Sequence, residues 1–206
     1  PSVQFPRVLG IECAGEVVAA PGSNLPVRQR VVAMMGGMGR QFDGSYAEYV
    51  LVPRQNVFPL QTQLEWKRLA ALPEMLQTVH GSLHVGLEIE RANNILVRGA
   101  TSSIGFTAIS LARSADLEVT ATTRNPAKAD ELKAAGATHV IVDDGLIADK
   151  ARAIYPDGYD RVLELIGTTT LLDSLEAACR GGIVRMTGIL GGSWVLKDFH
   201  PMGDIP

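Results

Sequence analysis

The chain has 206 residues, 46% of them hydrophobic and 20% charged, with a formal net charge of −3, the profile of an ordinary soluble chain able to bury one good core and a small second lobe. The acidic balance and the lack of a basic run argue against nucleic acid or an anionic membrane as the main partner. No apolar stretch approaches the roughly 20 residues of a membrane span, no signal peptide precedes the first strand, and Cys13 and Cys179 read as reduced, buried thiols of a cytoplasmic protein. The chain begins at Pro1 without Met and ends at Pro206 in an irregular segment, so both ends read as cut.

Residues 1–61 carry short β-prone runs at 16–20, 31–35 and 46–52, separated by Pro21-Gly22-Ser23-Asn24, by Gly36-Gly37-Met38-Gly39 and by Asp43-Gly44. Strands punctuated by turns, with no helix between them, predict a small antiparallel or barrel-like lobe. Within it stand Pro6, Gly10, Glu12, Gly15, Val17 and Gly22, then Arg30-Val31-Val32-Ala33, then Gly44-Ser45-Tyr46-Ala47-Glu48-Tyr49. In this order the three motifs resemble the first, GroES-like lobe of medium-chain dehydrogenases/reductases, and more narrowly their zinc-independent quinone oxidoreductase (zeta-crystallin-like) branch. The resemblance implies a partial GroES-like lobe over 1–61, an NAD(P)-binding Rossmann domain over 62–190, and a tail, 191–206, leading toward a missing sixth strand. Zinc-bearing members carry a His where Ile11 stands, and the four closely spaced Cys of their structural-zinc loop are absent, so the chain reads as metal-free. Cys13, without a partner at ligand spacing, reads as packing.

His80 and His84 stand four apart, on one face of a helix, but without the H-E-x-x-H pattern, and read as a polar-face pair. Thr78 matches the family's Thr at the start of the helix that borders the nicotinamide. Its hydroxyl either orients the carboxamide or bonds to its own helix backbone.

From residue 94 onward strand and helix alternate. Candidate strands are 94–98, 117–121, 139–142, 160–165 and 183–187; candidate helices are 103–114, 126–135, 146–154 and 169–179, with Gly136 and Gly181-Gly182 as helix stops. Such alternation predicts an α/β fold with a doubly wound parallel sheet of the Rossmann type, its ligand lying across the carboxyl ends of the strands. Between the first strand and its helix, Ala100, Thr101, Ser102, Ser103, Ile104 and Gly105 read A-x-S-x-x-G, an imperfect form of the dinucleotide fingerprint G-x-G-x-x-G. A turn of this kind aims free N–H groups and the positive helix end at a pyrophosphate.

The second strand runs into Thr122-Thr123-Arg124-Asn125-Pro126-Ala127-Lys128, with no acid to bind a ribose 2′-hydroxyl. Thr123, Arg124 and Lys128 there fit a 2′-phosphate, so the cofactor expected is NADPH. The plainer alternative is that the two cations only solvate a helix start. The resemblance also places Gly167, Gly188, Ile189 and Leu190 beside the cofactor, against the alternative of turn glycines and core residues, while Asp143-Asp144-Gly145 reads as a solvated turn.

The reaction implied is hydride transfer from NADPH to a quinone or another α,β-unsaturated carbonyl compound, a small-molecule substrate, with hydrogen-bond donors or solvent stabilising the developing oxyanion. Tyr46 is the nearest proton-donor candidate, but packing under the cleft is the better reading of it, and no catalytic residue is assigned. Two alternatives stand beside this one: an NADPH-binding module without catalysis, and a zinc-type alcohol dehydrogenase relative that has lost its metal. Relatives often pair through the edge of the nucleotide sheet, which makes a homodimer an expectation here too.

Overall fold

Val31, Val32 and Ala33 are the buried centre of the first sheet, and their apolar, β-branched character makes the strand around them the one that pairs on both sides. In the computed structural model, which describes residues 3–190, 192, 194–197 and 199–205, β1 (Glu12–Glu16), β2 (Arg30–Met34) and β3 (Val57–Pro59) form an antiparallel sheet in that order. Its register runs from Glu12↔Met34 to Glu16↔Arg30 on one side and from Val31↔Pro59 to Ala33↔Val57 on the other. The Arg30 guanidinium lies 3.9 Å from the centre of the Trp66 ring in α1 (Trp66–Ala70) and donates to the carbonyls of Thr62 and Leu64. The Glu12 carboxylate accepts from the Glu74 amide at 2.8 Å, in the first turn of α2 (Pro73–His80).

Two expectations for this region need correction. The strand expected at 16–20 lies at Glu12–Glu16. Residues 46–52 alternate as a strand would, yet beyond the Tyr46 amide bonded to the Leu9 carbonyl they have no ladder partner among the described residues. Tyr46, Tyr49 and Leu51 are 79%, 73% and 91% exposed, so Tyr46 is not packed away. An extended segment becomes a strand only when a neighbour takes its backbone groups.

The chain divides into two compact units, Pro1–Gln77 and Thr78–Pro206. In the second, β4 (Asn94–Arg98), β5 (Glu118–Thr123), β6 (His139–Val142), β7 (Tyr159–Glu164) and β8 (Ala178–Met186) make a parallel sheet ordered β6-β5-β4-β7-β8. Ile95, Leu96 and Val97 at its centre are fully buried, as a strand covered on both faces requires. Alternate residues serve opposite layers. Ile95, Val97, Val119 and Ala121 join Ile109, Ala112 and Leu132 of α3 (Ser103–Ser114) and α4 (Ala129–Ala134). Leu96, Ile141 and Val162 join Ile147, Ala151 and Ala177 around α5 (Ala148–Ile154) and α6 (Thr168–Glu176). This is the expected doubly wound, Rossmann-type sheet beside a small antiparallel one.

β4, α3 and β6 have the bounds expected from sequence, and Gly136 closes α4 with φ +116 and its amide on the Lys133 carbonyl. The helix expected at 126–135 is instead a 3-10 turn, Pro126–Lys128, leading into α4. Gly181-Gly182 do not end a helix: α6 stops at Glu176, and these glycines lie in β8, where the register jumps from Tyr159↔Ala178 to Arg161↔Ile183.

α2 passes directly into a π-helical segment, Gly81–Gly86, in which the Leu87 amide reaches the Ser82 carbonyl at 2.9 Å. In the tail, α7 (Pro201–Asp204) is the regular element among the described residues, while Gly191, Ser193, Asp198 and Pro206 lie outside them. No helix formed by the described residues is long and apolar enough to cross a membrane.

Candidate functional site

The turn after β4 is stitched to the end of β5: the Gly99 amide donates to Thr122 Oγ1 at 3.1 Å, and the Ala100 amide to the Thr122 carbonyl at 3.1 Å. Gly99 has φ +78, and a Cβ there would stand 2.7 Å from the Ile166 Cδ1. The left-handed position of the turn is therefore one residue before the fingerprint begins, so Ala100, fully buried, fits where Gly is usual. Ser102 also has a local use. It is the N-cap of α3 and accepts the Gly105 amide at 3.1 Å. At Gly105 a Cβ would lie 2.3 Å from the Ala100 carbonyl oxygen, so this helix seats directly on the turn. Ile104 packs against the core, while Thr101 and Ser103 are exposed. The first-turn amides ahead of Gly105 have no intrahelical acceptor and point out of the helix start.

At the end of β5, Thr123 is buried, and its hydroxyl both accepts from the Asn125 amide and donates to the Asn125 carbonyl. Asn125 caps the following 3-10 turn through the Ala127 amide at 3.0 Å. Lys128 is held by Glu131, with Nζ 2.8 and 2.9 Å from its two carboxylate oxygens. Arg124 is exposed and has no hydrogen-bond or ion-pair partner among the described residues. The two cations are thus unequal, and Arg124 is the one left uncommitted.

Beyond β7 and β8 the chains continue side by side. The Thr187 and Gly188 amides donate to the Glu164 carbonyl and the Leu190 amide to that of Ile166. A Cβ on Gly188 would stand 1.9 Å from the Leu165 carbonyl oxygen, and one on Gly167 (φ +122) 3.2 Å from the Ile189 Cα. Both glycines are required by this backbone contact alone. Ile189 is half-buried beside it, and Leu190 is 75% exposed.

Thr78 lies in the last turn of α2, not at a helix start. Its carbonyl accepts from Ser82 Oγ at 2.8 Å, and Ser82 Oγ lies 2.9 Å from Thr187 Oγ1. One hydroxyl pair therefore ties the helix carrying Thr78 to the end of β8.

The pair His80 and His84 stack with ring centroids 4.4 Å apart, and His84 Nδ1 bonds the Glu90 carboxylate, holding that acid below its usual range. Among the described residues no group of three or more His, Cys, Asp or Glu could hold a metal ion. Ile11 offers no donor atom, and burial pushes the Cys13 thiol up, away from the thiolate that zinc needs. The residues present do not fit a zinc site. In the first unit an open concavity of about 910 Å³ lies along Cys13–Ala20 and 47–52. It is lined by first-unit residues and includes none of the strand-end turns.

Asp143 departs from the solvated-turn reading. It accepts from Arg98 Nε and Nη2 at 3.0 and 3.2 Å, and Arg98 is fully buried. Only Asp144 faces solvent, paired with Lys150 at 2.7 Å. The signal was Arg98 itself, a charge closing the apolar run Ile95-Leu96-Val97.

Residues 1–62 match the family described as "Alcohol dehydrogenase GroES-like domain", and residues 103–203 match "Zinc-binding dehydrogenase". The putative quinone oxidoreductase YhfP of Bacillus subtilis is 29% identical over 202 residues, which is 96% of this chain and 61% of that protein. A quinone oxidoreductase structure from Pseudomonas syringae pv. Tomato DC3000 is similar with a TM-score of 0.84 at 26% identity, over 93% of this chain and 59% of that one. A 2-haloacrylate reductase structure is similar with a TM-score of 0.86 at 25% identity, over 97% of this chain and 62% of that one. The chain spans about three fifths of the length of these relatives. Two family matches in the expected order and a shared fold across nearly the whole chain lead to one assignment: the chain belongs to the medium-chain dehydrogenase/reductase superfamily.

Proposed function

We propose that this chain is the nucleotide-binding core of a zinc-independent, NADPH-dependent reductase of quinones or other α,β-unsaturated carbonyl compounds. The observation that carries the choice of cofactor is Arg124. It is exposed at the end of β5, without a partner among the described residues, at the position where an acid reading a ribose 2′-hydroxyl would stand. Its planar fork suits a phosphate. The 99–105 turn, held to the same strand end, supplies the helix start for a pyrophosphate. Thr78, Gly167, Gly188, Ile189 and Leu190 stand at the ends of α2, β7 and β8, suited to the nicotinamide half.

Bound NADPH would supply a hydride to the conjugated carbon or quinone ring. The chain's own part is to hold the phosphates at Ser103, Ile104 and Arg124, to orient the carboxamide near Thr78, and to cover the ring with Ile189 and Leu190. The similarity to quinone oxidoreductases and a haloacrylate reductase supports this substrate class. A second reading, binding without turnover, is favoured by the share of the relatives' length that this chain spans.

The test is a calorimetric titration with NADPH and with NADH at one ionic strength, followed by quinone reduction. An at least tenfold preference for NADPH, abolished by Arg124→Ala and kept by Lys128→Ala, is expected. Equal affinity for NADH sinks the 2′-phosphate argument, and binding without turnover selects the second reading.

A further inference from the structure

Beneath the strand-end turns lies a charged cluster that the cofactor reading does not use. Arg98 closes β4, immediately before the 99–105 turn, and its guanidinium is fully buried. All three nitrogens are occupied. Nε and Nη2 grip Asp143; Nη2 also donates to the Gly145 carbonyl at 2.9 Å; Nη1 donates to Asp173 at 2.6 Å, to the Thr170 carbonyl at 3.0 Å and to Ser174 Oγ at 3.1 Å.

Each acid it holds in turn holds backbone. Asp143 accepts the Gly145 amide, and Asp173 accepts the amides of Ile147 and Ala148 at the start of α5. Ser174, the acceptor from Arg98, donates to Glu164 at 2.6 Å, and Glu164 accepts the amides of Ile166 and Gly167. Asp143 also reaches Thr122, which takes the Gly99 amide. One cation is thereby linked to the turns after β4, β6 and β7.

A cluster of this kind is a poor source of stability, because the desolvation of its charges offsets most of their attraction and an apolar filling serves as well. Its distinctive property is direction: a fork with fixed geometry places three carboxylates, and these place five amides. We propose that Arg98 is the positioning residue of the dinucleotide crevice, setting the turns after β6 and β7 against the turn after β4 and so setting affinity for the cofactor. The inference rests on reading these strand ends as a nucleotide site.

Two variants test it, read by amide hydrogen exchange and by the NADPH dissociation constant. Arg98→Lys keeps the charge and loses the fork. The amides of Gly145, Ile147, Ala148, Ile166 and Gly167 are expected to exchange at least tenfold faster relative to core amides of β5, and the dissociation constant to rise at least tenfold. Ser174→Ala cuts only the arm to Glu164. Here Ile166 and Gly167 alone should speed up, with a smaller loss of affinity of at least threefold.

Uniform acceleration across the unit, or a folded Arg98→Lys protein within twofold of the parent affinity, would make Arg98 an ordinary buried ion pair and overturn the proposal. Should Arg98→Lys fail to fold, Ser174→Ala decides: unchanged exchange at Ile166 and Gly167 refutes it. If the unaltered protein binds no NADPH, the cofactor reading falls, and the pattern of exchange alone still decides whether Arg98 places the turns.

Discussion

Changing Gly105 to Ala sets two effects of opposite sign against each other. In a helix interior the change favours Ala by about 1 kcal/mol. In this chain the added Cβ would meet the carbonyl oxygen, carbonyl carbon and Cα of Ala100 at 2.3, 2.5 and 2.5 Å. All three are backbone atoms of a fully buried residue, so no side chain can swing aside, and the helix start must lift by about 1 Å to reach ordinary contact. Overpacking of this sort costs about 1–3 kcal/mol. With contact on three backbone atoms the upper end applies, leaving a net loss of about 2 kcal/mol after the helix gain. The displacement also pulls the Gly105 amide from Ser102 Oγ, now 3.1 Å away, which adds part of a cap. The control is Gly81→Ala, also helical but with nothing within 4 Å of its added Cβ, which should gain about 0.5–1 kcal/mol. Urea denaturation of both variants, with NADPH affinity measured in parallel, gives the comparison. If Gly105→Ala is as stable as its parent and binds NADPH equally well, the close seating of α3 on the turn is not what this position is for.

Ser102→Ala, which removes the cap on the Gly105 amide, should cost about 1 kcal/mol in urea unfolding, whereas Ser102→Gly should cost only about a few tenths. Tyr159 is fully buried, and burial pushes its phenol up to about 12 despite the hydrogen bond to Thr120. Its contribution to stability is complete below about pH 10, the unfolded value, and is lost as pH rises through about 12. Tyrosinate absorbance should show this ring ionising last among the folded-state transitions it can be resolved from, and Tyr159→Phe should flatten the alkaline loss. Burial would raise the Asp143 carboxyl, but the hydrogen bonds and charge of Arg98 outweigh it and hold the acid below its ordinary value. Its stabilisation is therefore present above about pH 4 and falls away as pH drops through the lowered value. Asp143→Asn should reduce that acid sensitivity and cost about 3 kcal/mol at neutral pH by stripping a partner from a buried cation. Acid and urea titrations check both.

The nucleotide half of the fold was legible because its elements are set by short-range pattern. In β4 an apolar run gives way to the helical spacing of Ile104, Ala108, Leu111 and Ala112, and nothing else in the chain is needed to see it. What was not legible depends on partners distant in sequence. Residues 46–52 have a strand's alternation, but a strand is defined by its ladder. Asp143 looks solvated beside Asp144 until Arg98, 45 positions earlier, is brought under it. Gly181-Gly182 look like a helix stop, although the Ala177 amide already closes α6 on the Asp173 carbonyl. In the candidate site the turn was found but shifted by one residue, since Gly99, directly after the strand, takes the left-handed conformation that the fingerprint assigns to its own first position.

The wide turn at Gly81–Gly86 makes chain length a constraint of its own. Val79, Leu83 and Leu87 are all fully buried and recur every four residues, an interval that overshoots an α-helical turn by about 40° at each step. A π turn absorbs the excess and keeps the three on one line. Deleting any single residue here would let the segment relax to α geometry and rotate everything beyond it by about 100°, turning Leu87 and Ile89 from the core toward water while composition hardly changed. Insertions and deletions at this point are therefore changes of facing, and the stretch should accept substitutions far more readily than any alteration in its number of residues.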